Sequence, residues 1–140
     1  VNDTHGHAVG DEVLKEFAER LQDKLRGFDM VARMGGEEFV ALLPDVKRTM
    51  AHIVAERLRV AIDEVPFKCS VPEGELHITT SIGGTVVEKS TKADAKTVMK
   101  EADDALYEAK HNGRNVCYFH ETGRLNPEDH KPEPRQFMTE

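Results

Sequence analysis

Two largely apolar runs joined through a pair of glycines constrain the fold of this chain more than any other feature. Residues 30–34 and 39–43 are the runs, and Gly35-Gly36-Glu37-Glu38 lies at their junction. This pattern predicts a tight β-hairpin. Because glycine has no Cβ, a bulky ligand can approach the backbone of such a turn closely.

The tip of this hairpin carries adjacent carboxylates, Glu37 and Glu38. Neighbouring carboxylates repel each other unless a cation lies between them. Mg²⁺ suits such hard oxygen ligands, and it typically binds one or two carboxylates together with substrate phosphates. The tip therefore predicts a site for a metal–nucleotide complex, and the alternative is a solvated turn without a ligand.

Composition limits the classes of protein that remain. The chain has 140 residues, enough for one domain with a single core, and its net charge of −7 argues against a general nucleic-acid-binding surface. No apolar run approaches the roughly 20 residues that span a bilayer, and the first residues do not resemble a signal peptide. We therefore expect no membrane contact by this segment. Cys69 and Cys117 lack metal-site spacing, so we expect free, buried thiols and a cytoplasmic location.

Periodicity and breakers predict an alternation of helices and strands. A first helix opens at Gly10-Asp11 and ends at Gly27, and Asp11 can cap it. The further elements are the hairpin at 30–43, a helix at 47–64, a small hairpin at 67–75, a strand at 76–82, a helix at 96–111 that Asn112-Gly113 stops, and a short strand at 116–119. Gly83-Gly84 indicates a bulge or a close backbone approach. Residues 120–140 are polar and contain three prolines, so we expect a disordered tail.

This order matches the β-α-β-β-α-β pattern of a ferredoxin-like α+β fold, an antiparallel sheet with flanking helices, from its first helix onward. The opening strand of that pattern, which lies in the middle of the sheet, is absent. Its absence would leave backbone donors and acceptors unpaired inside the sheet. We therefore expect either an N-terminally truncated fragment or a sheet whose gap is filled by another segment or chain.

Five motifs in this order resemble those of the GGDEF family, the diguanylate cyclases, over about residues 1–119. They are Asn2-Asp3-Thr4-His5-Gly6-His7 with Gly10-Asp11, Arg33-Met34-Gly35-Gly36-Glu37-Glu38-Phe39, Thr80-Ser81-Ile82-Gly83, Ala102-Asp103 with Ala105-Leu106-Tyr107, and Ala109-Lys110 with Gly113-Arg114-Asn115. The chain looks most similar to the response-regulator-linked, PleD-type members.

The resemblance implies a fold and an activity. Such domains have a palm-like fold shared with adenylyl cyclases and some polymerases, and they join two GTP molecules into cyclic di-GMP with release of two pyrophosphates. Each subunit of an antiparallel homodimer presents one GTP to the other, and Mg²⁺ or Mn²⁺ assists the phosphoryl transfer. An N-terminal regulatory domain in the parent chain would control dimerisation.

The same resemblance implies roles for individual residues at the hairpin. Glu37 would be a metal ligand and the candidate general base, and Glu38 would assist in metal binding. A carboxylate near two Mg²⁺ ions has a depressed pKa, which favours Glu37 as a ligand over Glu37 as a base. Gly35 and Gly36 would let the phosphates approach the backbone.

Four further residues would hold the nucleotide. Asn2 and Asp11 would recognise guanine, since an amide and a carboxylate match its donors and acceptors. Lys110 and Arg114 would hold the triphosphate. Helix capping by Asp11, and a favourable charge at a helix end for Lys110, are the alternative interpretations.

A second site is implied for the product. Arg26 and Asp29 form an Arg-x-x-Asp segment that would bind intercalated cyclic di-GMP and inhibit the enzyme, with Arg57 of a neighbouring subunit completing the site. A solvated helix end is the alternative. His5 and His7 fit a loop that shapes the guanine pocket better than they fit a zinc site.

The chain departs from the family pattern at its start. The family has a metal-binding aspartate and a Phe-Lys stretch before the point that corresponds to Val1, so we expect the 140-residue chain alone to be inactive. Two other functions compete with a cyclase: a non-catalytic receptor that binds cyclic di-GMP, and a palm-like nucleotidyl cyclase or polymerase with another product. The complete Gly-Gly-Glu-Glu-Phe motif favours catalysis, and Asn2 with Asp11 favours guanine.

Overall fold

A mixed sheet with helices on both faces organises the part of the chain that the computed structural model describes, residues 6–87, 94–120, 123–124 and 137–139. The helices are α1 (His7–Asp23), α2 (Arg48–Asp63) and α3 (Ala95–His111). The strands are β1 (Met30–Gly35), β2 (Glu38–Leu42), β3 (Phe67–Lys68), β4 (Glu75–Leu76), β5 (Ile82–Thr85), β6 (Cys117–Phe119), β7 (Gly123–Arg124) and β8 (Phe137–Thr139). The main sheet has the order β1-β2-β8-β5-β6-β7, and β3 and β4 form a separate pair.

The three helices lie where the periodicity predicts them, but α1 begins earlier. It starts at His7 after Gly6, and no side chain caps it. Asp11 therefore lies in the second turn, and the interpretation of Asp11 as a cap is wrong. At α3 a cap is present, because the Asp94 carboxylate accepts a hydrogen bond of 2.7 Å from the Thr97 amide, which lowers the pKa of Asp94. Within the described residues, no helix is both long and apolar enough to cross a bilayer.

The predicted hairpin at 30–43 is confirmed. β1 and β2 pair antiparallel from Met30 opposite Leu42 to Gly35 opposite Glu38, and the ladder is irregular between Arg33 and Gly35.

The strand predicted over residues 76–82 is wrong as a single element. Its first part belongs to β4, which pairs with β3, and its last residue begins β5 in the main sheet. The residues between them cross from one sheet to the other. His77 instead contacts the end of α2, with its Nε2 atom 2.7 Å from Asp63 Oδ1.

The core lies between one face of the main sheet and the two helices α1 and α2. Phe17 of α1 contacts Phe39 of β2, with ring centroids 5.1 Å apart. The buried residues of this cluster alternate along the strands and recur on the helices, and they include Val13, Leu21, Ala41, Leu43, Ala55, Leu58, Ile62, Phe67, Ile82 and Phe119. This burial of apolar surface is the main driving force for the fold.

α3 covers the opposite face, where glycine allows it to approach β5. A Cβ on Gly83 would lie 2.1 Å from the amide nitrogen of Leu106, whereas a Cβ on Gly84 would meet the ring of Phe119 on the other face. Successive strand residues point to opposite faces, which explains the two different neighbours. The close backbone approach predicted at Gly83-Gly84 is confirmed.

The middle of the main sheet is filled from the C-terminal part of the chain. β8 lies between β2 and β5 and is antiparallel to both, with Thr139 opposite Val40 on one side and Gly83 on the other. Of the possibilities that the sequence leaves open for the gap, another segment of the same chain is the one observed. β7 and β8 are strands where a disordered tail is predicted, because they satisfy backbone groups that the sheet would otherwise leave unpaired. Residues 121–122, 125–136 and 140 lie outside the described part.

We predict that Gly83→Ala destabilises the protein by about 3 kcal/mol, because the added methyl group meets helix backbone that cannot move aside cheaply. The free energy of unfolding in urea measures this loss. Gly27→Ala is the matched control, since a Cβ at Gly27 has no neighbour within 4 Å. Equal stability of the two variants would contradict the close packing of α3 on β5.

Candidate active site

Strand direction brings three loops to one end of the main sheet. β8 is antiparallel to β2 and to β5, so β2 and β5 run in the same direction, and β6 is parallel to β5. The first residues of β2, β5 and β6 therefore lie at the same end. The hairpin turn, Ser81 and the loop at 112–116 immediately precede these three strands.

The hairpin turn owes its shape to its two glycines. Gly35 has φ 140° and Gly36 has φ 54°, conformations that residues with a Cβ rarely adopt. A Cβ on either glycine would meet no atom within 4 Å, so the requirement is conformational and the space above the turn is open. Arg33 supports the turn, because its Nε donates a hydrogen bond of 2.8 Å to the carbonyl oxygen of Gly36.

The two acidic residues of the turn, Glu37 and Glu38, are exposed. Burial raises the pKa of Asp103 on α3, and the negative charges of Glu38 and Asp104 raise it further. Asp103 thus lies near enough to Glu38 to sense its charge. Among the described residues no three His, Cys, Asp or Glu side chains are grouped as a metal site. The oxygen donors of Glu37 and Glu38 suit Mg²⁺ when phosphate and water supply the other ligands.

A cleft of about 440 Å³ separates α1 from the hairpin. It is lined by Asp11, Leu14, Lys15, Ala18, Gln22, Val31, Arg33 and Phe39. Arg33 pairs with Phe39 in the part of the β1–β2 ladder nearest the turn, so the cleft opens beside the acidic tip. Asp11 is exposed in this cleft. Lys15 and Arg33 lie here too, although the sequence suggests no role for either.

The two cations predicted to hold phosphate, Lys110 and Arg114, lie four residues apart around the end of α3. Lys110 lies in its last turn, and Arg114 lies in the loop that leads to β6. Both side chains are exposed. The predicted stop of this helix is confirmed at Gly113, which has φ 100°, while Asn112 keeps a negative φ.

Asn115 is the most constrained residue of that loop. Its Oδ1 accepts a hydrogen bond of 2.9 Å from Arg59, its Nδ2 donates one of 3.1 Å to Asp63, and its amide donates one of 3.1 Å to the hydroxyl of Ser81. The hydrogen bond from Asn115, and then that from His77, holds the pKa of Asp63 below its usual value. Asn115 belongs to one of the matched motifs, so the sequence draws attention to it. Its partners on α2 could not be predicted, because they are more than fifty residues away and no local pattern indicates them.

In the segment predicted to bind the product, Arg26 and Asp29 form an ion pair with each other. Arg26 donates from Nη2 and Nε to Asp29, at 2.8 Å and 3.1 Å, and from Nη2 to the carbonyl oxygen of Pro44. The Asp29 side chain is only 2% exposed, and it raises the pKa of Arg26. The guanidinium carbon of Arg26 also lies 4.3 Å from the centre of the Phe28 ring. Arg57 is exposed on α2.

Some predicted residues cannot be placed. Asn2, His5 and the side chain of His7 lie outside the described part of the chain. The two thiols are both free, as predicted. Cys117 is buried, which raises its pKa, and Cys69 is half-buried.

Comparison with known proteins identifies the class to which this fold and site belong. The family profile described as "Diguanylate cyclase, GGDEF domain" matches residues 1–116. The chain therefore belongs to the GGDEF family, and the family prediction is confirmed.

Individual relatives agree with this assignment. The chain is 43% identical over 118 residues to the response regulator PleD of Caulobacter vibrioides, covering 83% of this chain and 25% of that protein. It resembles the active GGEEF domain of a diguanylate cyclase from Vibrio cholerae, with a TM-score of 0.75 and 34% identity, covering 87% of this chain and 75% of that one. It also resembles the GGDEF domain of DgcB from Caulobacter crescentus in complex with c-di-GMP, with a TM-score of 0.78 and 31% identity, covering 86% and 68%. The chain spans about a quarter of the length of PleD.

We predict that Asp63→Asn changes the pH dependence of stability. Because the pKa of Asp63 is lower in the folded state, its contribution is fully present above the usual carboxyl pKa of about 4 and is lost as the pH falls through the folded value. The difference in unfolding free energy between wild type and Asp63→Asn should therefore shrink from about pH 6 towards pH 3.

Urea unfolding at a series of pH values measures this difference. Asn115→Ala should reduce the pH dependence as well, since it removes the largest cause of the depressed pKa. A difference that stays constant across the series would contradict the assigned role of Asp63.

Proposed function

We propose that this chain is the catalytic domain of a diguanylate cyclase, which condenses two GTP molecules into cyclic di-GMP and two pyrophosphates. One observation supports this most strongly. The common direction of β2, β5 and β6 brings a glycine turn with two carboxylates to the same end of the sheet as the cationic loop after α3. A nucleoside triphosphate with a divalent ion needs that combination of charges.

In this proposal guanine enters the cleft between α1 and the hairpin. The Asp11 carboxylate accepts hydrogen bonds from the ring N–H and the exocyclic amine of guanine, and Asn2 supplies a further donor and acceptor. Adenine has neither the ring N–H nor the amine at those positions, so it would leave the Asp11 carboxylate unpaired once the base covers it. This mismatch would give the site its preference for GTP.

The triphosphate extends from the cleft across the hairpin turn. Lys110 and Arg114 neutralise its charge from the α3 side, and the bare backbone of Gly35 and Gly36 allows the phosphate oxygens to approach. The chain carries a net charge of −7, so these local cations are needed to attract a polyanion.

Glu37 and Glu38 are the residues that would hold Mg²⁺ or Mn²⁺. When bound there, the ion supplies neutralisation of the triphosphate and a lowered pKa for the ribose 3′-hydroxyl. In the transfer, the 3′-oxygen forms a bond to the α-phosphorus of the other GTP, the bond from that phosphorus to pyrophosphate breaks, and the hydroxyl proton leaves to a base. Two such transfers give the cyclic product.

The chemistry requires two copies of the domain. Each site holds one GTP, and both nucleotides must face each other, so a homodimer is the proposed active form. A regulatory domain elsewhere in the complete protein would control the dimer. We propose further that the 140-residue chain alone does not sustain turnover, because the family resemblance implies a further metal-binding aspartate beyond Glu37 and Glu38.

Arg26, Asp29 and Arg57 are proposed as the inhibitory site for cyclic di-GMP. The ion pair with Asp29 holds the guanidinium of Arg26 in one place, which prepares it to bind a phosphate or to stack on a purine. A non-catalytic receptor for cyclic di-GMP is the second candidate function, and this preorganised pair is the feature that favours it.

We predict that Glu37→Ala in the complete protein lowers the rate of cyclic di-GMP synthesis by at least about a hundredfold, because the metal loses a ligand. Binding of cyclic di-GMP should survive this change and should be lost in Arg26→Ala. Chromatographic product assays with GTP and Mg²⁺, together with calorimetry with cyclic di-GMP, measure the two effects.

Glu73→Ala is the matched control, because Glu73 is an exposed carboxylate in the connection between β3 and β4. It should change neither activity nor binding. Synthesis that persists in Glu37→Ala would contradict the proposed metal site, and a wild-type protein that binds cyclic di-GMP without making it would favour the receptor.

A further inference from the structure

The loop from Gly113 to Asn115 has a backbone that its sequence does not favour. Gly113, Arg114 and Asn115 have φ values of 100°, 59° and 49°, so three successive residues lie in the left-handed region. Glycine and asparagine adopt this region readily, but arginine does not. A non-glycine residue stays in such a conformation only when the surrounding structure holds it there, and such residues cluster at functional sites.

The loop is held at two neighbouring residues. The Arg114 amide donates a hydrogen bond of 3.1 Å to the carbonyl oxygen of Ala109 in α3, and Asn115 ties the loop to the rest of the fold. Its side chain bonds to two residues of α2, Arg59 and Asp63, and its amide bonds to Ser81 just before β5. These three hydrogen bonds join Asn115 to α2 and to the residue before β5, both of which are distant from it in sequence. They secure the residue that immediately follows Arg114.

The anchor on α2 is itself immobilised. Arg59 donates to both carboxylate oxygens of Glu56, at 2.8 Å and 2.9 Å, and this ion pair lowers the pKa of Glu56 and raises that of Arg59. Asp63 also contacts His77 Nε2 at 2.7 Å. Bidentate contacts of this kind fix the direction of a guanidinium group.

We propose that Asn115 is a positioning residue for Arg114. Its bonds to Arg59, Asp63 and Ser81 keep Arg114 in the left-handed conformation and so determine where the guanidinium meets the triphosphate. The inference rests on the proposed function, because it assumes that Arg114 binds phosphate. It assigns a role in nucleotide affinity to α2 residues that lie outside the motifs of the family.

The test is a double-mutant cycle on the complete protein, with a non-hydrolysable GTP analogue and Mg²⁺ as the probe in calorimetry. Asn115→Gly permits positive φ but removes the side-chain bonds. We expect Arg114→Ala and Asn115→Gly each to weaken binding about tenfold, and the double variant to be no weaker than Arg114→Ala alone. Asn115→Gly should leave the affinity for guanosine, which has no phosphate, unchanged.

Asn112→Gly is the matched control, since it makes the same substitution in the same loop. Among the residues that the structure describes, the Asn112 side chain bonds within α3, to the carbonyl oxygen of Glu108 at 2.7 Å and to the Glu108 carboxylate at 3.5 Å. We expect it to change the affinity for the analogue by less than about twofold. If circular dichroism shows that Asn115→Gly does not fold, Arg59→Gln replaces it, and the same non-additivity with Arg114→Ala is expected.

The outcomes separate the inference from the function on which it rests. Independent, multiplicative losses in the double variant, or an equal loss of guanosine binding, would overturn the positioning role while leaving GTP binding intact. A wild-type protein that does not bind the analogue would overturn the proposed function, and this inference with it.

Discussion

The common direction of β2, β5 and β6 is the constraint on which the candidate site depends. A strand fixes the place of the loop before it, so three strands that begin at one end of a sheet bring three loops together there. The acidic turn, Ser81 and the loop of Arg114 are far apart in sequence and lie at the same end of the sheet only for this reason. β8 completes the arrangement, because it supplies the pairing between β2 and β5.

Each of these loops is shaped by a few specific contacts. Glycine permits the positive φ values of the hairpin turn, and Arg33 bonds to its carbonyl oxygen. The loop after α3 instead carries an arginine in a left-handed conformation, and it depends on Asn115 and its partners. Open space above the turn and exposed cations at the same end of the sheet leave room for a large, highly charged ligand.

Local patterns predicted much of this fold. The apolar periodicity located the three helices, and Gly-Gly located the hairpin, because these signals lie within a few residues of each other. The split of the strand at 76–82 could not be predicted, since it depends on which sheet each half joins. The start of α1 at His7 was missed because aspartate is a common cap, so Asp11 was taken to mark the start of the helix. In the structure Asp11 lies within α1, and no side chain caps the helix. The strand at Phe137–Thr139 was missed because its stability comes from two distant partners and not from its own sequence.

The candidate site was predicted by motif, and its geometry was not. Glu37 and Arg114 come from matched segments, but only strand direction shows that their loops share one end of the sheet. Asp11 lies on α1, in the cleft beside the hairpin. The measurement that tests this most directly is an NMR titration of the complete protein with a non-hydrolysable GTP analogue and Mg²⁺. The account predicts that the amides of Gly36–Glu38 and Gly113–Asn115 shift together, with one common midpoint. Shifts confined to one of the two loops, or two different midpoints, would contradict a single site.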